Sequence, residues 1–170
     1  MSKTPNNKES IKTGVLILNL GTPDSYEPSD VKKYLKEFLY DPKVIQIPAI
    51  PRWILVNLII APFRSKKSAH AYEKIWSKKT GSPLKHYTQS LTNKISKLTD
   101  MPVEFAMRYQ NPPIKLSLDK LVNKNINKLI ILPIFPQYSE AASGSAIDKT
   151  VQVIKKDFPE FSFIFIILLI

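Results

Sequence analysis

Leu132-Pro133-Ile134-Phe135-Pro136-Gln137-Tyr138-Ser139-Glu140-Ala141-Ala142-Ser143-Gly144-Ser145-Ala146-Ile147-Asp148 is the stretch on which the reading of the fold turns. An apolar run, Leu129-Ile130-Ile131-Leu132, leads into it and leaves through Pro133 and Pro136 into a loop of small polar residues. Helical spacing begins again at Ser145. Strand, small-residue turn and helix start in succession is how α/β proteins present a ligand site at the carboxyl edge of a sheet. Ser143 is placed to cap the following helix, and Gly144 to let the backbone approach a ligand. An ordinary strand-to-helix connection has the same pattern, so the rest of the chain must decide.

Working outward, strand and helix patterns alternate. A strand over Thr13–Leu20 precedes a helix over Ser29–Tyr40, and an apolar helical hairpin is expected over Pro51–Ser77. A helix over Pro83–Leu98, a strand over Val103–Met107 and a helix over Ile114–Asn123 follow. A strand over Lys128–Pro133 and a helix over Ser145–Asp157 complete the series. Such alternation with right-handed crossovers predicts an α/β fold with a doubly wound parallel sheet, ligands lying outside the strand carboxyl ends. The loops after Leu20, Met107 and Pro133 then share one edge. There is no GxGxxG and no Walker loop, which argues against a nucleotide ligand.

Composition bounds the function classes. The 170 residues make one ordinary globular domain, 44% hydrophobic and 23% charged. With no cysteine, these residues supply no disulfide, zinc thiolate or cysteine-ligated iron–sulfur cluster. The first dozen residues are polar and carry no secretory pattern, so a cytoplasmic protein is expected. A net charge of +11 has three readings: nucleic-acid binding, attraction to an anionic membrane surface, or lysine-rich background composition. The lysines are dispersed and no RNA-binding or zinc-finger signature is present, so no nucleic acid is expected. Arg64, Lys66 and Lys67 directly follow the apolar stretch from Trp53 to Phe63, which suits a peripheral membrane contact. That stretch is well short of the roughly 18–20 residues that cross a bilayer. Charge alone does not choose among the readings.

Four segments, in order, carry a resemblance. They are GVLILNLGTPDS with VKKYLKEFL (Gly14–Ser25 and Val31–Leu39), the apolar and basic region from Pro51 to Leu84, the strand end VEFAMRY (Val103–Tyr109), and the PQYS loop (Pro136–Ser139). Together they resemble the ferrochelatases, which insert Fe(II) into a porphyrin to make haem. The resemblance implies a chelatase-like Rossmann-type half with an apolar helical lip over the porphyrin mouth. It implies that Leu20, Arg64, Tyr72, Ser82, Arg108, Tyr109, Gln137, Tyr138 and Ser139 line or anchor the porphyrin. The chemistry suits the ligand: a flat apolar disc with propionates at its rim needs aliphatic and aromatic walls plus a few cationic or hydroxyl anchors. Only Arg52, Arg64 and Arg108 are arginine among 25 basic residues, and two of them fall on family site positions. The planar guanidinium fork can take a carboxylate in bidentate fashion. Asp24, where coproporphyrin-type enzymes often carry Tyr, leans towards protoporphyrin.

The family runs to about twice this length, as two similar α/β halves facing one cleft. The resemblance covers residues 13 to about 160, the first half, so residues 1–12 are expected to be a disordered lead-in and 13–170 a truncated amino-terminal domain. The family's catalytic His and Glu would lie beyond residue 170. The apolar run Phe163–Ile170 reads either as a fourth buried strand or, better, as the end of a fragment whose last residues, from about Ile164, depart from the family pattern. His70 and His86 lack a second ligand at metal spacing, so no metal site is expected. Some members carry a cysteine-bound 2Fe–2S cluster; none is expected here, and Fe(II) and porphyrin enter as substrates. Metallation removes two pyrrole protons and needs a base; this half offers walls and anchors, so inactivity alone is expected. The other readings are a non-enzymatic fragment that binds porphyrin or pairs with a partner, and a coproporphyrin or cobalt chelatase of the same fold.

Overall fold

The computed structural model describes residues 12–166. The expectation of a disordered lead-in therefore lies, Lys12 apart, outside the described residues. Lys12 itself is tied down, its N–H donating to Asn127 Oδ1 at 3.0 Å and its carbonyl accepting from the Asn127 N–H at 3.0 Å.

Thr13–Gly21 forms strand β1, whose Val15, Leu16, Ile17 and Leu18 are all buried. A strand apolar on both faces belongs at the centre of a parallel sheet covered on both sides. β1 accordingly lies between β2 (Val103–Tyr109) and β3 (Lys128–Pro133), with β4 (Ser162–Phe165) outside β3 and every pairing parallel. Helices α1 (Pro28–Leu39), α2 (Ala49–Ile54), α3 (Ala61–Ile75), α4 (Pro83–Ile95), α5 (Ile114–Val122) and α6 (Ser145–Asp157) surround the sheet. Period-two alternation divides the core. Leu16, Leu18, Ala106, Leu129 and Ile131 face α5 and α6, while Val15, Ile17, Phe105 and Met107 face the side where Ile95 of α4 packs. The expected α/β sheet is thus present, helices on both faces.

Order β2-β1-β3-β4 sends the chain leaving β1 towards one sheet edge and the chain leaving β3 towards the other. The carboxyl ends of these neighbours therefore form a topological switch point, where open α/β sheets leave a crevice. The loops Gly21–Pro23 and Ile134–Ser139 flank it, joined at its floor by Ile134 N–H donating to the Leu18 carbonyl at 2.9 Å.

Three expectations are corrected. The region from Pro51 to Ser77 is no hairpin but one continuous helical run: α2, a π-wound segment Leu55–Ile60, then α3. Pro62 explains the winding. It has no amide to donate and its ring crowds the preceding turn, so the wider π turn ahead of it lets the helix continue. Arg108 and Tyr109 are the last residues of β2, not the start of its loop. Of the terminal apolar run, the part in β4 does form a fourth strand, but at the sheet edge and covered on one side only: Phe163 and Phe165 pack on the core while Ile164 is 46% exposed; residues 167–170 lie outside the described residues.

Gly21 has φ of 112°, and a Cβ there would stand 2.1 Å from the Tyr109 carbonyl oxygen. Both the left-handed backbone and the backbone contact forbid a side chain. Gly21→Ala is expected to lower unfolding stability by more than about 2 kcal/mol, read from the midpoint of urea denaturation.

Candidate functional site

The first loop holds its shape through buried side chains. Asn19 donates from Nδ2 to Thr88 Oγ1 at 2.9 Å while its Oδ1 accepts the Leu20 N–H at 2.8 Å, which leaves the Leu20 side chain half-buried at the crevice. Ser82 is buried and donates to Thr22 Oγ1 at 2.9 Å, fastening the start of α4 to the loop after β1. Its hydroxyl hydrogen is committed within the chain, so the role left to it towards a ligand is that of acceptor.

An aromatic seam joins α3 to β2. Tyr72 meets Trp76 edge-on at 6.4 Å and Tyr34 at 6.3 Å; Tyr34 meets Tyr109 at 6.5 Å, and Phe38 meets Tyr109 at 5.3 Å. Edge-to-face contacts of this kind hold rings at fixed angles. Burial raises the pKa of all three tyrosines, that of Tyr109 to about 12. At neutral pH they are neutral phenols. Arg64 lies on α3 eight residues before Tyr72, roughly 12 Å along the helix; it is exposed and makes no hydrogen bond or ion pair among the described residues.

The second cluster centres on Asp41, just beyond α1. Its carboxylate accepts from Tyr109 OH at 2.9 Å, from the Lys43 N–H at 2.8 Å, and from Ser145 Oγ and Arg108 Nη2 at short range. Arg108 also donates from Nε to Ser145 Oγ at 2.7 Å, and its guanidinium lies 4.4 Å from the Tyr109 ring centroid. Burial, the largest single influence on Asp41, would raise its pKa. Hydrogen bonds from Ser145, Lys43 and Tyr109 and the charge of Arg108 together outweigh it and hold the pKa below the ordinary range. A cavity of about 380 Å³ opens beside Asp41, Lys43, Arg108 and Ser145.

Gln137, Tyr138 and Ser139 are exposed on the loop after β3. Ser143 does not cap α6. Its hydroxyl accepts the Ser139 N–H at 2.8 Å and donates to the Ser139 carbonyl at 3.0 Å, closing the π-wound turn Glu140–Gly144. Gly144 does not face an open ligand space either: a Cβ there would meet Tyr138 OH at 3.0 Å and Glu140 Oε2 at 3.3 Å. Tyr138 OH donates to Glu140 Oε2 at 2.7 Å, and Lys43 binds Glu140 at 2.7 Å and Asp148 at 2.5 Å.

Arg108 and Tyr109 are therefore brought together directly, and Tyr72 joins them through Tyr34. Ser82, at the start of α4, is tied to the loop after β1 through Thr22; Tyr138 is braced through Glu140 from Lys43, two residues beyond Asp41, and Ser139 is held by Ser143. Arg64 stays apart from these networks. Asp41, Lys43, Tyr34 and Ser145 were missed by sequence reading. Asp41-Pro42 reads as a turn, and its partners lie 67, 68 and 104 residues away along the chain; the one available signal was an Asp directly before Pro at a helix end. His70 and His86 are both exposed, and no metal-ligating cluster occurs among the described residues.

Because Asp41 has a lowered pKa in the folded state, its stabilising effect is present above the unfolded-state value and is lost as pH falls through the folded-state value. Asp41→Asn is expected to be least stable relative to the parent near neutral pH, with the gap closing in acid. Denaturation midpoints at stepped pH check this; a constant gap would show that the carboxylate is not the stabilising species.

The ferrochelatase family model matches residues 12–167, past Ile164, where the pattern was expected to stop. A ferrochelatase of Methylococcus capsulatus is 44% identical over 156 residues, covering 90% of this chain and 47% of the relative. One from Legionella pneumophila (strain Paris) is 52% identical over 143 residues, covering 83% and 42%. One from Coxiella burnetii (strain Dugway 5J108-111) is 45% identical over 144 residues, covering 84% and 40%. The chain thus spans less than half the length of these curated relatives. With the family match running over nearly all of its residues, on a parallel α/β sheet whose strand ends carry the matching segments, the chain belongs to the ferrochelatase family.

Proposed function

We propose that this chain supplies the porphyrin-binding half of a ferrochelatase that inserts Fe(II) into protoporphyrin IX to form protohaem. The observation that carries the reading is the convergence, at the carboxyl edge of one sheet, of three loops whose sequences belong to this family. Leu20 and Tyr72 would supply apolar wall, and the unpaired, exposed Arg64 would take a propionate. Gln137, Tyr138 and Ser139 would offer polar contacts at the rim. Arg108 and Tyr109 act differently: with Arg108 bound to Asp41 and Tyr109 OH donating to the same carboxylate, they hold the wall in place.

Insertion removes two pyrrole protons as Fe(II) binds the four nitrogens, and those protons need an acceptor. The tyrosines are neutral and Asp41 is covered by its donors, so these groups are poor bases for the ring centre. We therefore assign proton removal to residues outside this sequence and expect the 170-residue polypeptide alone to be inactive. No helix among the described residues is long and apolar enough to cross a membrane. Exposed Trp53, Leu58, Ile59 and Phe63, beside Arg64, Lys66 and Lys67, would rest on an anionic bilayer surface from the cytoplasmic side.

Protoporphyrin fluorescence should titrate saturably with this chain, and Arg64→Ala or Tyr72→Ala should weaken binding about tenfold, or ~1.4 kcal/mol. Absence of saturable binding would remove the proposed site. In a metal-insertion assay the polypeptide alone should give no rate above the uncatalysed one; an enzyme-like rate would overturn its assignment as the binding half only.

A further inference from the structure

The guanidinium of Arg108 is not fully engaged. Nε and Nη2 bind Ser145 and Asp41, while Nη1 has no partner among the described residues. Every fully buried polar side-chain atom described has a partner, so Nη1, which lacks one, is open to solvent. Yet the side chain as a whole is only 14% exposed, so the opening is confined. Arg108 lines two adjoining cavities, of about 310 and 380 Å³, which also share Lys149 and Gln152. Neither is lined by Leu20, Arg64, Tyr72, Ser82 or the loop 137–139. Arg108 apart, they are distinct from the positions proposed to line porphyrin.

Which charges are already taken decides what the cavities can hold. Glu37 accepts the Gln110 N–H at 3.0 Å and the Gln110 side-chain amide. Asp41 is enclosed by its donors, and Asp148 is bound by Lys43. Lys115 is engaged by Asp119 at 3.0 Å. By contrast, Lys149 donates only to the neutral Gln152, at 3.1 Å, and Lys156 is without a hydrogen bond or ion pair among the described residues. Against these two ammonium groups and the Arg108 edge stands one uncommitted carboxylate of the described lining, Asp157. Spacing adds an apolar element. Lys149, Val153 and Lys156 share one face of α6, with the two lysines roughly 10 Å apart along the helix and the valine between them. Pro113, in the loop before α5, lines the same cavity as Val153.

We propose that this cavity binds a small organic dianion, an apolar body carrying a phosphate or two carboxylates, through Lys149, Lys156 and Arg108 Nη1. Charge-assisted bonds from a guanidinium and two ammonium groups suit such oxygens, and Val153 and Pro113 suit the body. A volume of about 310 Å³ lies at the small end of the range for ligand pockets. Because Arg108 also holds Asp41, the ligand bears on the network that orients Tyr109 while leaving the porphyrin positions untouched. The site stands whether or not the crevice takes porphyrin.

The test titrates phenylphosphonate and phthalate, separately, into the isotopically labelled chain and follows its amide and arginine Nε–H signals by NMR. Saturable shifts should centre on Arg108, Lys149, Gln152 and Lys156, a readout independent of any variant, and the tighter of the two probes identifies the head group. Inorganic phosphate, which lacks the apolar body, should bind about tenfold more weakly than phenylphosphonate. Lys149→Gln with Lys156→Gln should weaken the better probe by about tenfold or more while leaving circular dichroism unchanged. Lys94→Gln with Lys97→Gln, the same change of charge at two exposed positions elsewhere, should not weaken it. Equal losses in the two double variants, or shifts that never saturate and spread over the lysines of the whole surface, would show only loose attraction to a basic protein and overturn the site. A protoporphyrin titration of the Lys149→Gln, Lys156→Gln variant separates the two readings: porphyrin binding should persist where anion binding is lost, and loss of both together would overturn the claim of a distinct site.

Discussion

Asp41 is the point through which the carboxyl edge is organised. A carboxylate taken out of water is costly unless donors surround it. Here the donors come from the end of β2, through Arg108 and Tyr109, and from the first residue of α6, through Ser145. One buried charge thereby fixes the end of α1, a strand end and a helix start against one another. Lys43, two residues on, extends the arrangement to Glu140 and Asp148 and so to the loop carrying Tyr138. Positions that would line a porphyrin crevice are set by groups that need never touch the porphyrin.

The fold was legible because its signals are local. Four all-apolar residues from Val15 to Leu18 are a central strand, and Gly21 followed by Thr22-Pro23 ends it. The strand over 128–133 and the helix over 145–157 lie where sequence pattern puts them. What escaped is long-range or compensating. Asp41 reads as a turn residue until its partners fold beside it. A hairpin was expected over Pro51–Ser77, yet a π-wound segment accommodates Pro62 and the run continues to Ile75. Ser143 in front of a helix looks like a cap, but the turn it closes on Ser139 makes better use of both its donor and its acceptor.

Site residues divided along the same line. Tyr109 could be located from the strand pattern, but its orientation depends on Tyr34 and Phe38 of α1, which spacing does not connect to β2. Ser82 could be located as the residue before a helix-starting proline, while its partner Thr22 lies 60 residues away. Arg64 is the exception: exposed and without a partner among the described residues, it owes its position to the helix pattern of α3 alone.

The neutral phenols have a consequence for traffic of cations. A divalent ion crossing a protein surface is delayed wherever it meets anionic oxygen that can strip its water. Tyr34, Tyr72 and Tyr109 keep their protons, and the carboxylate that Tyr109 touches, Asp41, is already bound by a guanidinium and two hydroxyls. These three phenols therefore offer a passing metal ion no anionic oxygen at neutral pH. They act as apolar surface with a hydrogen-bonding rim, not as metal ligands.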